Sequence, residues 1–266
     1  KESLSRDCVI DGEIMAFKDG KPLTFNHLQT RIGRKSVTKK ILEDSPVVMI
    51  AYDLLELERR DMREVAMKKR RSKLEELVAE TKNDALRISQ VLHPETWEDA
   101  AKIREASRDV LSEGLMLKQK ESVYKVGRKR GEWWKWKVDP MSIDAVMIYA
   151  MRGHGRRANL YSDYTFAVWK DDELVPFTKA YSGLTDKEMQ KVDYFVKKNT
   201  LERFGPVRSV KPELVFEIGF EGIAPSNRHK SGIALRFPRI LRQRFDKKAE
   251  EANTLEDLQG LLDQYQ

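Results

Sequence analysis

The sequence predicts an α+β protein in two parts, residues 1–138 and 139–266, the second a small β-barrel of the OB type. Three observations carry this. Short apolar runs of strand length outnumber helical periods throughout. Asp139-Pro140 interrupts the chain near its middle, where proline disfavours helix before it and breaks sheet pairing. Beyond that break come three strand patterns, one helix and further strands, the content of a small barrel.

The elements follow in order. Residues 8–17 read as a strand, closed by the turn signal Asp19-Gly20. Thr24 is placed to cap a short helix over 25–31. Pro46 opens an apolar strand over 47–55. Residues 63–79 form a charged helix with Leu74, Leu77 and Val78 on one face. A short strand over 86–92 and a helix over 95–107 follow, then strands over 113–118 and 133–138. Past the break, strands over 142–151, 162–170 and 173–181 precede a helix over 185–198. Two or three more strands follow, the clearest over 214–220, and a terminal helix over 254–262.

Composition limits the function classes. The 266 residues carry 50 Lys and Arg against 43 Asp and Glu, a formal charge of +7. That surplus favours polyanionic partners, although a solvated surface would carry it equally well. The single cysteine, Cys8, excludes an internal disulfide and a Cys/His metal cluster, and its apolar neighbours predict a buried, inert thiol. There is no apolar run of about 18 residues, so no membrane span is expected. Residues 1–7 are polar and lack the core of a signal peptide, which predicts a soluble, cytoplasmic protein.

Several stretches carry chemistry. Asp11-Gly12-Glu13 places carboxylates in a strand, where they could hold a ribose hydroxyl or a metal, or simply face solvent. Tyr52 interrupts an aliphatic strand and is compatible with base stacking or with a core position. In Glu113-Gly114-Leu115-Met116-Leu117-Lys118 an acid and a lysine bracket a strand, and the glycine admits a close ligand or backbone. Glutamate is a hard oxygen ligand suited to Mg²⁺. In Trp133-Trp134-Lys135-Trp136-Lys137, period-2 spacing puts Lys135 and Lys137 on one face, suited to a phosphate, and Trp134 and Trp136 on the other, toward the core. Lys125, Arg128, Lys129 and Arg130 form a basic loop. Residues 236–247 hold five Arg or Lys side chains in twelve residues, a phosphate site or a surface tail.

The order of these stretches is more specific than any one of them. Asp-Gly-Glu, Tyr-Asp-Leu-Leu, Glu-Gly-Leu-Met-Leu-Lys, Trp-Lys-Trp-Lys and Arg-Phe-Asp-Lys succeed one another as the later signature motifs of ATP-dependent DNA ligases do. From about residue 8 to 250 the chain resembles that family, particularly its bacterial members, with support from Ser122-Val123-Tyr124 and from Arg236-Phe237-Pro238-Arg239. The resemblance implies that residues 1–138 are the later portion of an ATP-grasp-like adenylation (nucleotidyltransferase) domain with mixed and antiparallel sheets, and 139–266 an OB domain. It implies ATP and Mg²⁺ as cofactors and nicked duplex DNA as partner, in repair, replication or recombination. It further implies that Glu13 contacts the ribose or metal, Tyr52 stacks on adenine and Glu113 holds Mg²⁺. Lys135 and Lys137 would neutralise the α-phosphate with Arg128 or Arg130 nearby. Arg244, Asp246 and Lys247 would orient the leaving pyrophosphate.

One departure matters. The family's nucleophile lies in a Lys-x-Asp-Gly motif before the Asp-Gly-Glu strand, and no such motif precedes Asp11 here; Lys18-Asp19-Gly20 comes after it with other spacing. Residues 1–266 alone are therefore expected to be inactive, with an uncovered sheet edge that invites self-association. An RNA ligase or capping nucleotidyltransferase shares the motif order, and a non-catalytic nucleic-acid-binding OB module is the alternative from another class.

Overall fold

The computed structural model describes residues 4–127 and 129–265. The chain divides into two compact units, Lys1–Val138 and Asp139–Gln266. The class is α+β with largely antiparallel sheets, as the sequence predicts.

The first unit is built on a sheet in which Cys8–Lys18 and Val47–Leu57 pair antiparallel along most of their length. Lys21–Pro22 and Arg60–Asp61 extend it as short hairpin returns, and Leu86–Ile88 joins parallel to Val47–Leu57. The helix Met67–Thr81 lays Leu74 and Leu77 on Ala51, Leu54 and Leu57, with Cys8 and Ile10 packed around them. It starts later than the charge pattern suggests because Asp61 closes a turn first, accepting the Arg63 backbone N–H at 2.9 Å. Its end is set by Lys82 in the left-handed region, φ 42°. Cys8 is half-buried rather than buried, at the first position of its strand; burial, then Asp7, pushes its thiol pKa up.

Other boundaries moved for local reasons. A helix Lys39–Asp44, capped by Thr38 accepting from Ile41 N, is too short to show a period in sequence. The predicted strand over 86–92 stops at Ile88, after which the chain leaves the sheet toward His93-Pro94. The helix predicted over 95–107 is Trp97–Glu105, capped by Thr96, and continues as a 3₁₀ turn, Ala106–Val110. A separate two-stranded hairpin pairs Gly114–Lys118 with Trp133–Lys137.

In the second unit the long strand Met141–Arg152 organises everything. One edge pairs with Tyr161–Lys170, which pairs in turn with Glu173–Ala180. The other edge is shared, Val215–Phe220 along its first half and Val207–Val210 along its second, which is how one sheet curls toward a barrel. The interior holds Met147, Tyr164, Phe166, Phe177, Phe216 and Phe220. Helix Asp186–Asn199, opened by a Thr185–Glu188 capping box, and helix Leu255–Gln264, opened by Thr254–Asp257, each turn an apolar stripe to that core. After Asn199 the described chain contains six short strands rather than two or three, because pieces of four to six residues leave no readable alternation. Among the described residues, no helix is long and apolar enough to cross a membrane.

Candidate functional site

The site in the first unit begins with a register irregularity. Cys8 and Val9 lie opposite Leu57 and Glu56, Ile10 and Asp11 opposite Leu54 and Asp53, and Gly12 opposite Ala51. Leu55 and Tyr52 are the unmatched residues, so two bulges flank Asp53-Leu54. Asp11 and Asp53 are cross-strand partners and share a face, which places two carboxylates together.

That juxtaposition is tolerable because cations surround it. Asp53 is 1% exposed and Arg70 0%. Arg70 donates to Asp53 through Nε (2.7 Å) and Nη2 (2.9 Å), and through Nη1 to the carbonyls of Val65 (2.5 Å) and Ser122 (3.1 Å). Lys118 Nζ lies 3.7 Å from Asp53, 5.1 Å from the centre of the Tyr52 ring and 4.2 Å from that of Trp133. Burial lowers the Lys118 pKa, against the pull of Asp53 and Asp11. Tyr124 donates its hydroxyl to Asp11 Oδ2 at 2.6 Å and meets Trp133 edge-on. Burial, and after it Asp11, raises the Tyr52 phenol to about 12; the Asp11 hydrogen bond, and then burial, does the same for Tyr124. Both phenols therefore stay protonated at neutral pH. Glu13 is exposed on the same strand, and its charge acts on the Tyr52 phenol.

The hairpin brings two more predicted residues together. Glu113 and Lys137 form an ion pair at 2.8 Å. Gly114 permits it: at φ 138° a Cβ there would sit 2.3 Å from the Trp136 carbonyl oxygen. Lys135 is exposed two residues away on the face it shares with Lys137 and Trp133. The expected inward placement of Trp134 and Trp136 is corrected. Trp136 is half-buried against Trp97 and Arg104, but Trp134 is 50% exposed, because a two-stranded ribbon has no layer behind it at that position. Trp133, on the lysine face, is the tryptophan tied into the site, its Nε1 donating to Ser122 Oγ at 2.8 Å. Arg130 is exposed in the loop between the strands, and Arg128 lies outside the described residues. Lys18-Asp19-Gly20 is a hairpin turn, with Asp19 and Gly20 both at positive φ between paired Lys18 and Lys21.

In the second unit Arg244, Asp246 and Lys247 also come together. Arg244 bonds Asp246 at 2.7 and 3.0 Å and Asp144 at 2.7 Å; Lys247 reaches the same Asp144 oxygen at 2.5 Å. Arg244 holds the Asp246 carboxyl far below the usual carboxylate range. The neighbouring cations are also paired, Arg239 with Glu221 at 2.8 Å and Arg242 with Glu217 at 2.6 Å, so the stretch is a strand edge rather than a loose tail.

Sequence reasoning did not single out Asp53, Arg70, Lys118, Tyr124 or Asp144 as site residues. Lys118 and Tyr124 stood inside noted stretches. Asp53 and Asp144 carried one usable signal, a carboxylate inside an apolar strand, which has to find a cation when buried.

Both units resemble known proteins. The family described as "ATP dependent DNA ligase domain" matches residues 1–137, and "ATP dependent DNA ligase C terminal region" matches residues 157–247. A probable DNA ligase of Koribacter versatilis is 36% identical over 96% of this chain and 48% of its own length. A DNA ligase of Thermococcus onnurineus is 31% identical over 97% of this chain and 46% of its own. The solved chain described as "Pmar-Lig_Pre." shares the fold at TM-score 0.69 and 18% identity, over 91% of this chain and 52% of that one. The chain belongs to the ATP-dependent DNA ligase family. It spans about half the length of the first of these relatives.

Proposed function

We propose that the protein containing this chain seals nicks in duplex DNA with ATP, the first unit serving as the later part of its adenylation domain and the second as its OB domain. The observation that carries the reading is the Tyr52 ring held between Asp11 and Lys118, in the unit whose hairpin presents Glu113, Lys135 and Lys137. In this reaction a lysine Nζ attacks the α-phosphorus of ATP and pyrophosphate leaves. The AMP then passes to a 5′-phosphate oxygen, and the 3′-hydroxyl attacks that phosphorus and expels AMP.

The residues present fit the groups required. Tyr52 offers a face for adenine, with Lys118 Nζ 5.1 Å from the ring centre. Glu13 is exposed beside it for the ribose. Lys135 and Lys137 would neutralise the negative charge that an α-phosphate gains, and positioning and neutralisation are most of what phosphoryl transfer asks of a protein. Glu113, with Glu13, supplies hard oxygens that would hold Mg²⁺, whose contribution is to neutralise phosphate charge. Lys137 already pairs with Glu113 at 2.8 Å, which orients the carboxylate. The nucleophile on this reading belongs to a Lys-x-Asp-Gly motif, which residues 1–10 do not contain; Lys18-Asp19-Gly20 has other spacing and forms a turn.

The test is sealing of nicked DNA, nicked RNA and a capping substrate by the full-length protein. Glu113→Ala should abolish sealing of nicked DNA in a protein whose circular dichroism is unchanged. Normal sealing by the folded variant removes the metal assignment, and activity confined to RNA or caps removes the DNA reading. DNA binding should be insensitive to sequence and weaken steeply with salt, because phosphate contacts release counterions.

A further inference from the structure

The hairpin that carries Lys135 and Lys137 is a ribbon of two strands, and a lone ribbon is marginally stable unless something packs on it. Alternation along Trp133–Lys137 turns Trp136 to the face opposite the two lysines. The helix Trp97–Glu105 meets the ribbon on that opposite face. Trp97 and Arg104 are about two turns apart and so lie on one side of the helix. Both engage the Trp136 ring, Trp97 edge-on with ring centroids 6.0 Å apart, and Arg104 with its guanidinium carbon 5.1 Å from the ring centre. Arg104 Nη1 also donates to the Lys137 carbonyl at 3.1 Å. The N–H of the same peptide unit, that of Val138, donates to the Glu113 carbonyl at 3.0 Å. The peptide plane between Lys137 and Val138 is thus held from both sides, by Glu113 and by Arg104.

Stability alone does not call for an arginine here. Its Nε is buried without a hydrogen-bond partner, and among the described residues its partners are a carbonyl and a ring rather than a carboxylate. An apolar side chain would pack on Trp136 without stranding a polar atom. What the guanidinium adds is direction, since it lies over the indole and at the same time fixes the carbonyl beside it. With Trp136 and the peptide after Lys137 both fixed, the pleat keeps Lys135 and Lys137 on the other face, where Lys137 meets Glu113 at 2.8 Å. We propose that Arg104 is a positioning residue for Lys137, holding the end of its strand from behind so that the Lys137 ammonium stays in place for the α-phosphate. This rests on the ligase reading above, which gives the helix Trp97–Glu105 no part.

The experiment uses the full-length protein and follows lysyl-AMP formation from labelled ATP over a range of ATP concentrations. It reads the rate at saturating ATP separately from the ATP concentration that gives half that rate. Arg104→Met keeps an apolar stem on Trp136 and removes the donor and the charge. The saturated rate should fall about tenfold, because a displaced phosphate-neutralising group costs orientation in the transition state. The half-saturating ATP concentration should change less than about threefold, because Tyr52 is untouched. Arg104→Lys keeps a cation over the ring and a donor for the carbonyl, and should return the saturated rate to within about threefold of wild type. If Arg104→Met does not fold by circular dichroism, Arg104→Gln, shorter and uncharged, decides by the same criteria. A saturated rate within about threefold of wild type in the uncharged variant overturns the positioning role. So does an equal loss in rate and in ATP affinity, a lysine variant as slow as the methionine one, or a lowered urea midpoint with the rate per folded molecule intact, which is the mark of a purely structural residue. A wild-type protein that forms no lysyl-AMP removes the ligase reading itself, and the positioning role with it.

Discussion

Arg70→Met should cost the first unit several kcal/mol. Arg70 and Asp53 are 0% and 1% exposed, and methionine fills most of the arginine stem without its charge. The substitution takes two hydrogen bonds from Asp53 and one each from the carbonyls of Val65 and Ser122. Asp53 keeps the Leu54 N–H at 2.9 Å and Lys118 at 3.7 Å, too little to offset its desolvation. Removing one partner of a buried pair costs about 3–5 kcal/mol, a large share of the roughly 5–15 kcal/mol that holds a domain together. Urea unfolding by tryptophan fluorescence reads it, because Trp97, Trp133, Trp134 and Trp136 report the first unit and Trp169 the second. The double variant Arg70→Met, Asp53→Leu should recover much of the loss, since neither charge is then stranded. A single-variant loss below about 1 kcal/mol, the scale of an exposed pair, would refute the argument, as would a double variant less stable than the single one.

Three further outcomes follow from the same geometry. Tyr52 and Tyr124, both raised from 10.0 to about 12, stabilise the folded unit in their protonated form; that contribution is complete below pH 10 and disappears as pH climbs toward 12. Asp11→Asn should return the Tyr124 ionisation, followed by tyrosinate absorbance, toward its ordinary value, and an unchanged titration would show that Asp11 is not the cause. Gly114→Ala should distort the hairpin, separate Glu113 from Lys137 and lower sealing by the full-length protein, whereas wild-type activity would mean the close approach to Trp136 is dispensable. The 266-residue polypeptide, incubated with labelled ATP and Mg²⁺, should give no covalently labelled band on a denaturing gel, and a band would place a nucleophile within these residues.

The long strands were legible because their side chains are apolar for a run or in alternation: residues 8–17, 47–55 and 142–151 fall within observed strands. The helices opened by a capping box were legible to within two residues at each end, and the uncapped Met67–Thr81 to within four. What escaped were elements of six residues or fewer, such as Lys39–Asp44 and Gly222–Pro225, whose existence depends on what they pack against. The order of motifs singled out Glu13, Tyr52, Glu113, Lys135 and Lys137. It did not give the contacts around Asp53 and Asp11, because Arg70 reaches Asp53 from 17 positions away and Tyr124 reaches Asp11 from 113. Pairings of that kind are set by the fold and leave no local period.

The two supernumerary residues of Val47–Leu57 act together like a pair of compensating frameshifts. The first, Leu55, would by itself turn the rest of the strand inside out; the second, Tyr52, turns it back, and Leu57, Leu54 and Ala51 all meet the same helix at intervals of three. Disorder in the alternation is thus confined to the few residues that carry the ledge and the buried carboxylate. Substitutions can accumulate along this strand one at a time, but lengths cannot. Deleting either extra residue alone would scramble everything on one side of it, while deleting both would restore a regular strand with its core intact and no Tyr52 at all.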